Sequence, residues 1–439
     1  MRRGTSRRGI SIAAALGVLA LTATACGNGG GSDGGSGEKA AKDPGSVSGT
    51  VTWWDTSDAT NEAPAFRKLV KEFEAKYPKI KVDYVNVPFD QAQQKFKTAA
   101  AAGRGAPDVL RADVGWTPGF AQLGYLKDLT GTPALDRPED FLQGPLKSAA
   151  YEGKTYGVPQ VTDTLGLLYN KELLRKAGVG RPPANWGEVK DAARKIKERT
   201  GAGGVGLSPD SYYSLPFLYG EKSDMLDVPG KRITIADDAS RKGIETAVDL
   251  VRSGAAPKPA GTDGYNALKT DFKSGKLAML LDGPWATKEL FGGDAFKQRE
   301  NLGIAPVPAG STGVAGAPVG GHDLVVYAGS KNFDASYLFT RFMTDTERQQ
   351  EVSTAVGLLP TRTSAYTKEV LADPVRKSFH DALATAHPRP PIPQGGDLFT
   401  VWLQHYTRIL TLKEEPQAGL DATAKEWKSA LLKDYAVAS

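Results

Sequence analysis

The stretch from Val51 to Val87, "VTWWDTSDATNEAPAFRKLVKEFEAKYPKIKVDYVNV", decides the fold. Its middle places Phe66, Leu69, Val70, Phe73 and Tyr77 at helical spacing, so one face of a helix is apolar, and Pro78 ends it. Directly afterwards Ile80, Val82 and Tyr84 alternate with polar neighbours, the period of a strand. Ahead of the helix, "VTWWD" opens as a strand and runs into a loop with three acids, Asp55, Asp58 and Glu62. Strand, helix and strand in succession is the unit from which α/β folds are built.

The same alternation extends outward. "DQAQQKFKTAAAAG" reads as a helix closing at Gly103, and "PDVL" (Pro107–Leu110) as a short buried strand. Further on, "TLGLLYN" leads into the helical "KELLRKAG", and Trp186 with Gly187 precede the amphipathic "EVKDAARKIKERTG". In open sheets of this kind ligands sit beyond the carboxyl ends of the strands, and Asp55 to Glu62 lie at such an end.

The first 25 residues have the layout of an export signal: Arg2, Arg3, Arg7 and Arg8, an apolar run from Ile10 to Leu21, then small residues. That run is shorter than the ~20 residues a spanning helix needs. Cys26 is the only cysteine, which excludes an intramolecular disulfide. "ATAC" (Ala23–Cys26) resembles a bacterial lipobox, in which the cysteine is acylated and tethers the protein to a membrane. "SRRGIS" (Ser6–Ser11) resembles a twin-arginine signal, which leaves the export route open. Residues 26–46, rich in Gly and Ser, read as a flexible tether. The net charge is +5, and removing the four signal arginines leaves about +1, which advertises no nucleic-acid partner. The body that remains is long enough for two domains with real cores.

Several motifs fail on context. Gly201, Gly203 and Gly206 fit G-x-G-x-x-G, but a charged helix precedes them where a dinucleotide fold needs a strand. "GKT" (Gly153–Thr155) lacks the glycine five residues upstream, where Ser148 stands. His322, His380, His387 and His405 have no metal-like spacing, and no G-x-S-x-G elbow is present. No cofactor or metal is expected, and catalytic chemistry has little to stand on.

What recurs is an aromatic or a carboxylate after an expected strand: Asp113 and Trp116 in "RADVGW", Asp163 in "VPQVTDT", Asp210 and Tyr212 in "SPDSYYSLP", Trp285 in "GPW" and Phe399 with Trp402 in "PQGGDLFTVW". Aromatic faces cover the apolar C–H faces of a pyranose, and carboxylates accept hydrogen bonds from its hydroxyls, so a carbohydrate suits the pattern. Trp53 and Trp427 read as core, and Tyr156, Tyr169 and Asp108 as structural.

The segments "AAAAGRGAPDVLRADVGWTPGFAQLGYLKDLT", "YEGKTYGVPQVTDTLGLLYNKELLRKAGV", "FKSGKLAMLLDGPW" and "GLLPTR" resemble the extracellular solute-binding proteins, family 1, of ABC importers. "TWWDTSDATNEAP", "YVNVPFDQAQ" and "AGAPVGGHDLVVYAGS" are most similar to the actinobacterial maltose and maltodextrin-binding lipoproteins. The resemblance implies a maltose-binding-like, two-lobe periplasmic-binding fold of α/β class, with lobes at 47–160 plus 308–358 and 161–307 plus 359–439. It implies a monomeric, non-enzymatic receptor on the outer face of the membrane that delivers maltodextrin to a permease. Position by position, it implies sugar contacts at Asp55, Thr56, Ser57, Asp58, Asp163, Tyr212, Trp285 and Phe399, the last standing where relatives usually have tryptophan. Asp113, Trp116, Asp210 and His322 join them as candidates. The alternatives are another sugar on the same fold, such as a galactoside or trehalose, or a secreted glycoside hydrolase, whose two carboxylates would lie about 5 to 9.5 Å apart.

Overall fold

A computed structural model describes residues 43–438. The expected export signal, Cys26 and most of the tether lie outside the described residues. From its start the chain runs β1 (Gly49–Asp55), α1 (Ala63–Lys76), β2 (Ile80–Asn86), α2 (Phe89–Ala101), β3 (Val109–Asp113), α3 (Thr117–Gln122) and β4 (Gly157–Thr164). It continues through β5 (Gly166–Asn170), α4 (Trp186–Thr200), β6 (Gly203–Gly206), α5 (Asp238–Arg252), α6 (Gly264–Lys273), β7 (Leu277–Asp282) and β8 (Leu302–Ala305). Then come β9 (Pro318–Val326), α7 (Phe333–Met343), α8 (Thr346–Val356), β10 (Leu359–Pro360), β11 (His387–Pro388), α9 (Gly395–Leu410) and α10 (Pro416–Glu426).

Two main sheets result. The first has the order β10-β4-β9-β3-β1-β2, with β11 alongside β9. Here β1 is parallel to β2 and β3, whereas β9 runs antiparallel to β3 and β4. The second has the order β8-β5-β7-β6, in which β6 and β7 are parallel. Each sheet is buried on both faces. Trp53, Phe66, Phe73 and Phe339 fill one side of the first and Trp54, Phe96 and Phe120 the other. Ile196, Val205, Trp402 and Trp427 fill one side of the second, Phe272, Leu280 and Phe379 its reverse. The molecule is thus a pair of three-layer α/β lobes.

Local rules explain the elements. α1 buries Phe66, Leu69, Val70 and Phe73, the face its spacing predicts, and stops before Pro78. α4 begins on Asn185, whose side chain accepts from the Glu188 N–H, and ends on Gly201 in the left-handed region (φ 77°). Gly203–Gly206 is strand β6 behind that helix, so the glycine pattern is a helix cap followed by a buried strand.

Chain crossings between the sheets position the site. β4 passes into β5 through Leu165, and β8 returns to β9. The boundary expected at 160/161 falls inside β4, which pairs with β9 as far as Thr164, and β10 also pairs with β4 in the first sheet. All eight residues of β4 are buried, so its polar residues Gln160, Thr162, Asp163 and Thr164 resemble a loop in sequence while lying in a strand. Among the described residues no helix is long and apolar enough to cross a membrane.

Candidate functional site

The loop after β1 is held rigid by its own polar groups. Buried Asp55 accepts from the Tyr84 hydroxyl at 2.6 Å, the Ser57 N–H at 3.0 Å and the Ser57 hydroxyl at 2.5 Å. The Thr56 hydroxyl donates to the Arg111 carbonyl at 2.8 Å. Asp58 is exposed and accepts from Thr60 and Asn61; burial alone would raise its carboxyl, but these hydrogen bonds hold it below the usual range. The adjacent Asn61 reaches the other lobe, donating to the Trp285 carbonyl at 2.8 Å, and Lys288 donates to the Asn61 carbonyl at 2.9 Å.

Behind this loop Arg111 is buried on β3, donating through Nε to Gln160 Oε1 at 2.9 Å. A register shift between His322 and Asp323, a bulge on the β4–β9 pair, leaves Gln160 without a Cα partner on β9. Glu62 lies 3.8 Å from Arg111 Nη2, and burial pushes its carboxyl up. Both ring nitrogens of His322 are buried without a partner, and burial together with the Arg111 and Arg389 charges holds the imidazole neutral, well below its usual range.

The second lobe contributes aromatic rings. The Trp285 indole N–H donates to the Tyr265 hydroxyl at 2.9 Å, which in turn donates to Asp282 at 3.2 Å, as does the Tyr213 hydroxyl. Burial raises Asp282 to about 7. The ring itself packs on the apolar clusters of both lobes. Tyr212, its centroid 6.3 Å from Trp285, donates through its hydroxyl to Asp163 at 3.3 Å. Burial raises Asp163 to about 7, although the nearby Arg389 charge opposes it.

The structure therefore gathers Asp55, Thr56, Ser57, Asp163, Tyr212 and Trp285 along the junction of the lobes. Asp113 is there too, paired with Arg389 (2.9 and 3.1 Å), and Phe399 lies on the same arginine. Four expectations meet a different geometry. Asp163 lies within β4 rather than beyond a strand. Phe399 and Trp402 sit on helix α9, where Phe399 is half-buried and Trp402 is core, its indole N–H bonded to Ser214 Oγ at 2.8 Å. Asp210 is exposed and caps the short helical turn that carries Tyr212, accepting its N–H at 2.8 Å. Trp116 is only 7% exposed because Phe89 stacks on it at 5.1 Å and 28°. Trp53 and Trp54 both face apolar cores, so neither indole of the opening strand is free.

Sequence reasoning missed Arg389 and Phe89. Arg389 lies in a proline-rich run without periodicity, and its pairing with Asp113 exists only in the folded chain. Phe89 opens α2 at the carboxyl end of β2 and remains 47% exposed, facing both Trp116 and His322. Among the described residues no three His, Cys, Asp or Glu side chains are grouped to hold a metal ion. Flat rings, buried acceptors and fixed hydroxyls suit a neutral ligand with many hydroxyl groups.

The profile described as bacterial extracellular solute-binding protein matches residues 57–350. Among solved structures, the GacH receptor of Streptomyces glaucescens GLA.O, known unliganded and in complex with acarbose and an acarbose homolog, is 47% identical, with a TM-score of 0.85 over 89% of this chain and 100% of that one. Maltose-bound MalE3 of T. maritima is 25% identical, with a TM-score of 0.80 over 87% of this chain and 100% of that one. The maltotriose-binding protein of Pyrococcus abyssi (strain GE5 / Orsay) is 24% identical over 88% of this chain and 83% of its own length. On its profile match, its lobes and its crossings, the chain belongs to the family of bacterial extracellular solute-binding proteins.

Proposed function

We propose that this protein is an oligosaccharide receptor for an ABC importer, tethered outside the cell through Cys26, and that its ligand is maltose or a maltodextrin. The observation that supports it most is Trp285: an indole on the second lobe that packs on the apolar clusters of both lobes and whose carbonyl takes the Asn61 amide of the first. A sugar stacked on that ring would touch both lobes and so favour the closed form by contacts that the open form lacks. The motion would hinge at the crossings on either side of Leu165 and between β8 and β9. Tyr212 and Phe399 would supply further faces, and Asp55 and Asp163 would accept hydroxyl hydrogens. A micromolar receptor needs about −8 kcal/mol net.

Isothermal titration of the soluble body with maltose, maltotriose, trehalose, galactose and cellobiose tests the reading. The α-1,4-linked glucans are expected to bind tightest, and Trp285→Ala to weaken them at least about tenfold with native circular dichroism. An unchanged curve for that variant sinks the role given to Trp285. Tighter binding of cellobiose or galactose sinks the ligand while leaving the receptor. A second reading, favoured by the 47% identity to the GacH receptor, is an acarbose-type ligand, and acarbose belongs in the same titration.

A further inference from the structure

Away from the aromatic rings, α8 ends against the second lobe. Gly357, which follows its last residue, lies in the left-handed region (φ 87°), and a Cβ there would stand 2.5 Å from the Thr287 hydroxyl oxygen, so the lobes touch at this point. Beside the contact is a cavity of 80 Å³, with Thr354 to Gly357 as one wall. The other wall is built from Lys288, Phe291, Arg299 and the start of the helix Pro374–Leu383, which packs through Val375 and Phe379 on the core of the second lobe. A space of that size takes two or three waters at ~30 Å³ each, or one small ion in their place, and no sugar ring.

The charges lining this space do not balance. Asp373 is its one acid, and that carboxylate is already committed. Oδ1 accepts the Val375 and Arg376 N–H groups at 2.9 and 3.1 Å, capping the helix, and Oδ2 accepts from Arg299 Nη2 at 2.9 Å. Arg376 Nη1 stays 3.7 Å from Oδ2, and its Nε donates to the Val370 carbonyl at 2.8 Å. The terminal N–H groups of Arg376 make no hydrogen bond among the described residues, although the side chain is only 11% exposed. Burial and the Arg299 charge both work against its cation. Lys288 also lines the space, with its Nζ turned to the Asn61 carbonyl at 2.9 Å. Leaving it aside, two guanidiniums face one carboxylate and the C-terminal end of α8, worth roughly half a negative charge. A positive surplus remains.

The donors also have a shape. The Arg299 guanidinium lies 3.7 Å from the Phe291 ring centroid, which fixes its plane. Guanidinium edges match pairs of oxygens on an anion. Across the space, the Thr354 hydroxyl of α8 has no partner among the described residues and is a donor from the opposite wall. Donors on two walls suit an anion whose oxygens point in several directions better than a planar carboxylate.

We propose that this cavity is a binding site for a tetrahedral oxyanion such as phosphate, held by Arg299 and Arg376 of the second lobe and Thr354 of the first. It lies apart from the rings assigned to sugar and does not depend on the sugar reading. Because its walls belong to different lobes, an occupant resists their separation at this edge.

Equilibrium dialysis of the sugar-free protein with radiolabelled inorganic phosphate, at about pH 7.5 and constant ionic strength in sodium chloride, tests the site. One phosphate per chain is expected, with a Kd below about 1 mM. Unlabelled sulfate should displace it, and acetate should be at least about tenfold weaker as a competitor. Arg376→Gln and Arg299→Gln should each weaken phosphate at least about tenfold, while Arg194→Gln, at an exposed ion pair on α4, should leave it unchanged. The Arg299 side chain is 56% exposed, so its replacement leaves the lobe folded and the test decisive even where Arg376→Gln does not fold. Absence of saturable phosphate binding, acetate competing as well as sulfate, or an affinity unchanged in Arg299→Gln overturns the site.

Discussion

Asp163 shows how much one buried residue can control. It sits near the end of β4, accepts the Tyr212 hydroxyl, and is raised to about 7 by burial despite the Arg389 charge. A sugar hydroxyl donating to this carboxyl favours its ionised form, so binding would lower its pKa and release a proton. Affinity should then fall on acidification, by up to about tenfold between pH 8 and pH 6 for a group titrating near 7. Titration of maltotriose across that range checks this. Asp163→Asn should flatten the dependence, and a wild-type affinity independent of pH would remove Asp163 from the ligand's partners. The residue was legible from its place in "VPQVTDT", but its burial was not, since that depends on β9 and β10 flanking β4 on either side.

At the scale of elements, α9 separates two aromatic roles that look alike in sequence. Phe399 and Trp402 are three residues apart, yet Phe399 is half-buried beside Arg389 while Trp402 is fully enclosed with Tyr406, Ile409 and Leu410. Three residues turn a helix by roughly 300°, a net offset of only about 60°, so the two side chains share one face, Trp402 at its buried middle and Phe399 at its cleft border. Trp402→Ala should cost about 3–5 kcal/mol by cavity formation, and Ser214 also loses a partner. Urea denaturation measures it, and a loss below about 1 kcal/mol would show that Trp402 is not a core anchor. The packing of α4 on β6 is equally unforgiving, because a Cβ on Gly204 would stand 2.2 Å from the Ala255 carbonyl and 2.3 Å from Ala193 Cβ. Helices such as α1 were readable because a single buried stripe repeats every 3.6 residues. β4 was not, because a strand buried on both faces has no alternation.

At the scale of the whole molecule, four carboxyls among the described residues, Asp163, Asp224, Asp282 and Asp323, are raised to about 7 by burial. Unfolded, an aspartate titrates near about 3.9, so between those values the folded chain binds more protons and stability falls as pH rises. His322 acts in the opposite sense: it is held neutral, so acidification below its unfolded value favours the unfolded chain. Four groups outweigh one across the acid range. Towards about pH 4, carboxylates held below their usual range by hydrogen bonds or lysine and arginine charges, such as Asp140 and Glu289, reverse the trend. Calorimetry should therefore find Tm higher at pH 5.5 than at pH 7.5 by at least about 3 °C. A lower Tm at pH 5.5 would mean that these carboxyls are ionised in the folded protein.

The amino-acid sequence by itself determined the α/β class and the positions of α1, β2 and α4, because hydrophobic period, caps and residue type act over a few neighbours. Tertiary structure alone decided which aromatic rings face the junction of the lobes, that Asp163 is buried, and that Arg389 of the late proline-rich run pairs with Asp113 of β3. Those outcomes depend on contacts between residues far apart in the chain, such as the 276 positions separating Arg389 from Asp113. No local pattern encodes such a contact, because it exists only once the crossing strands have brought the two segments together.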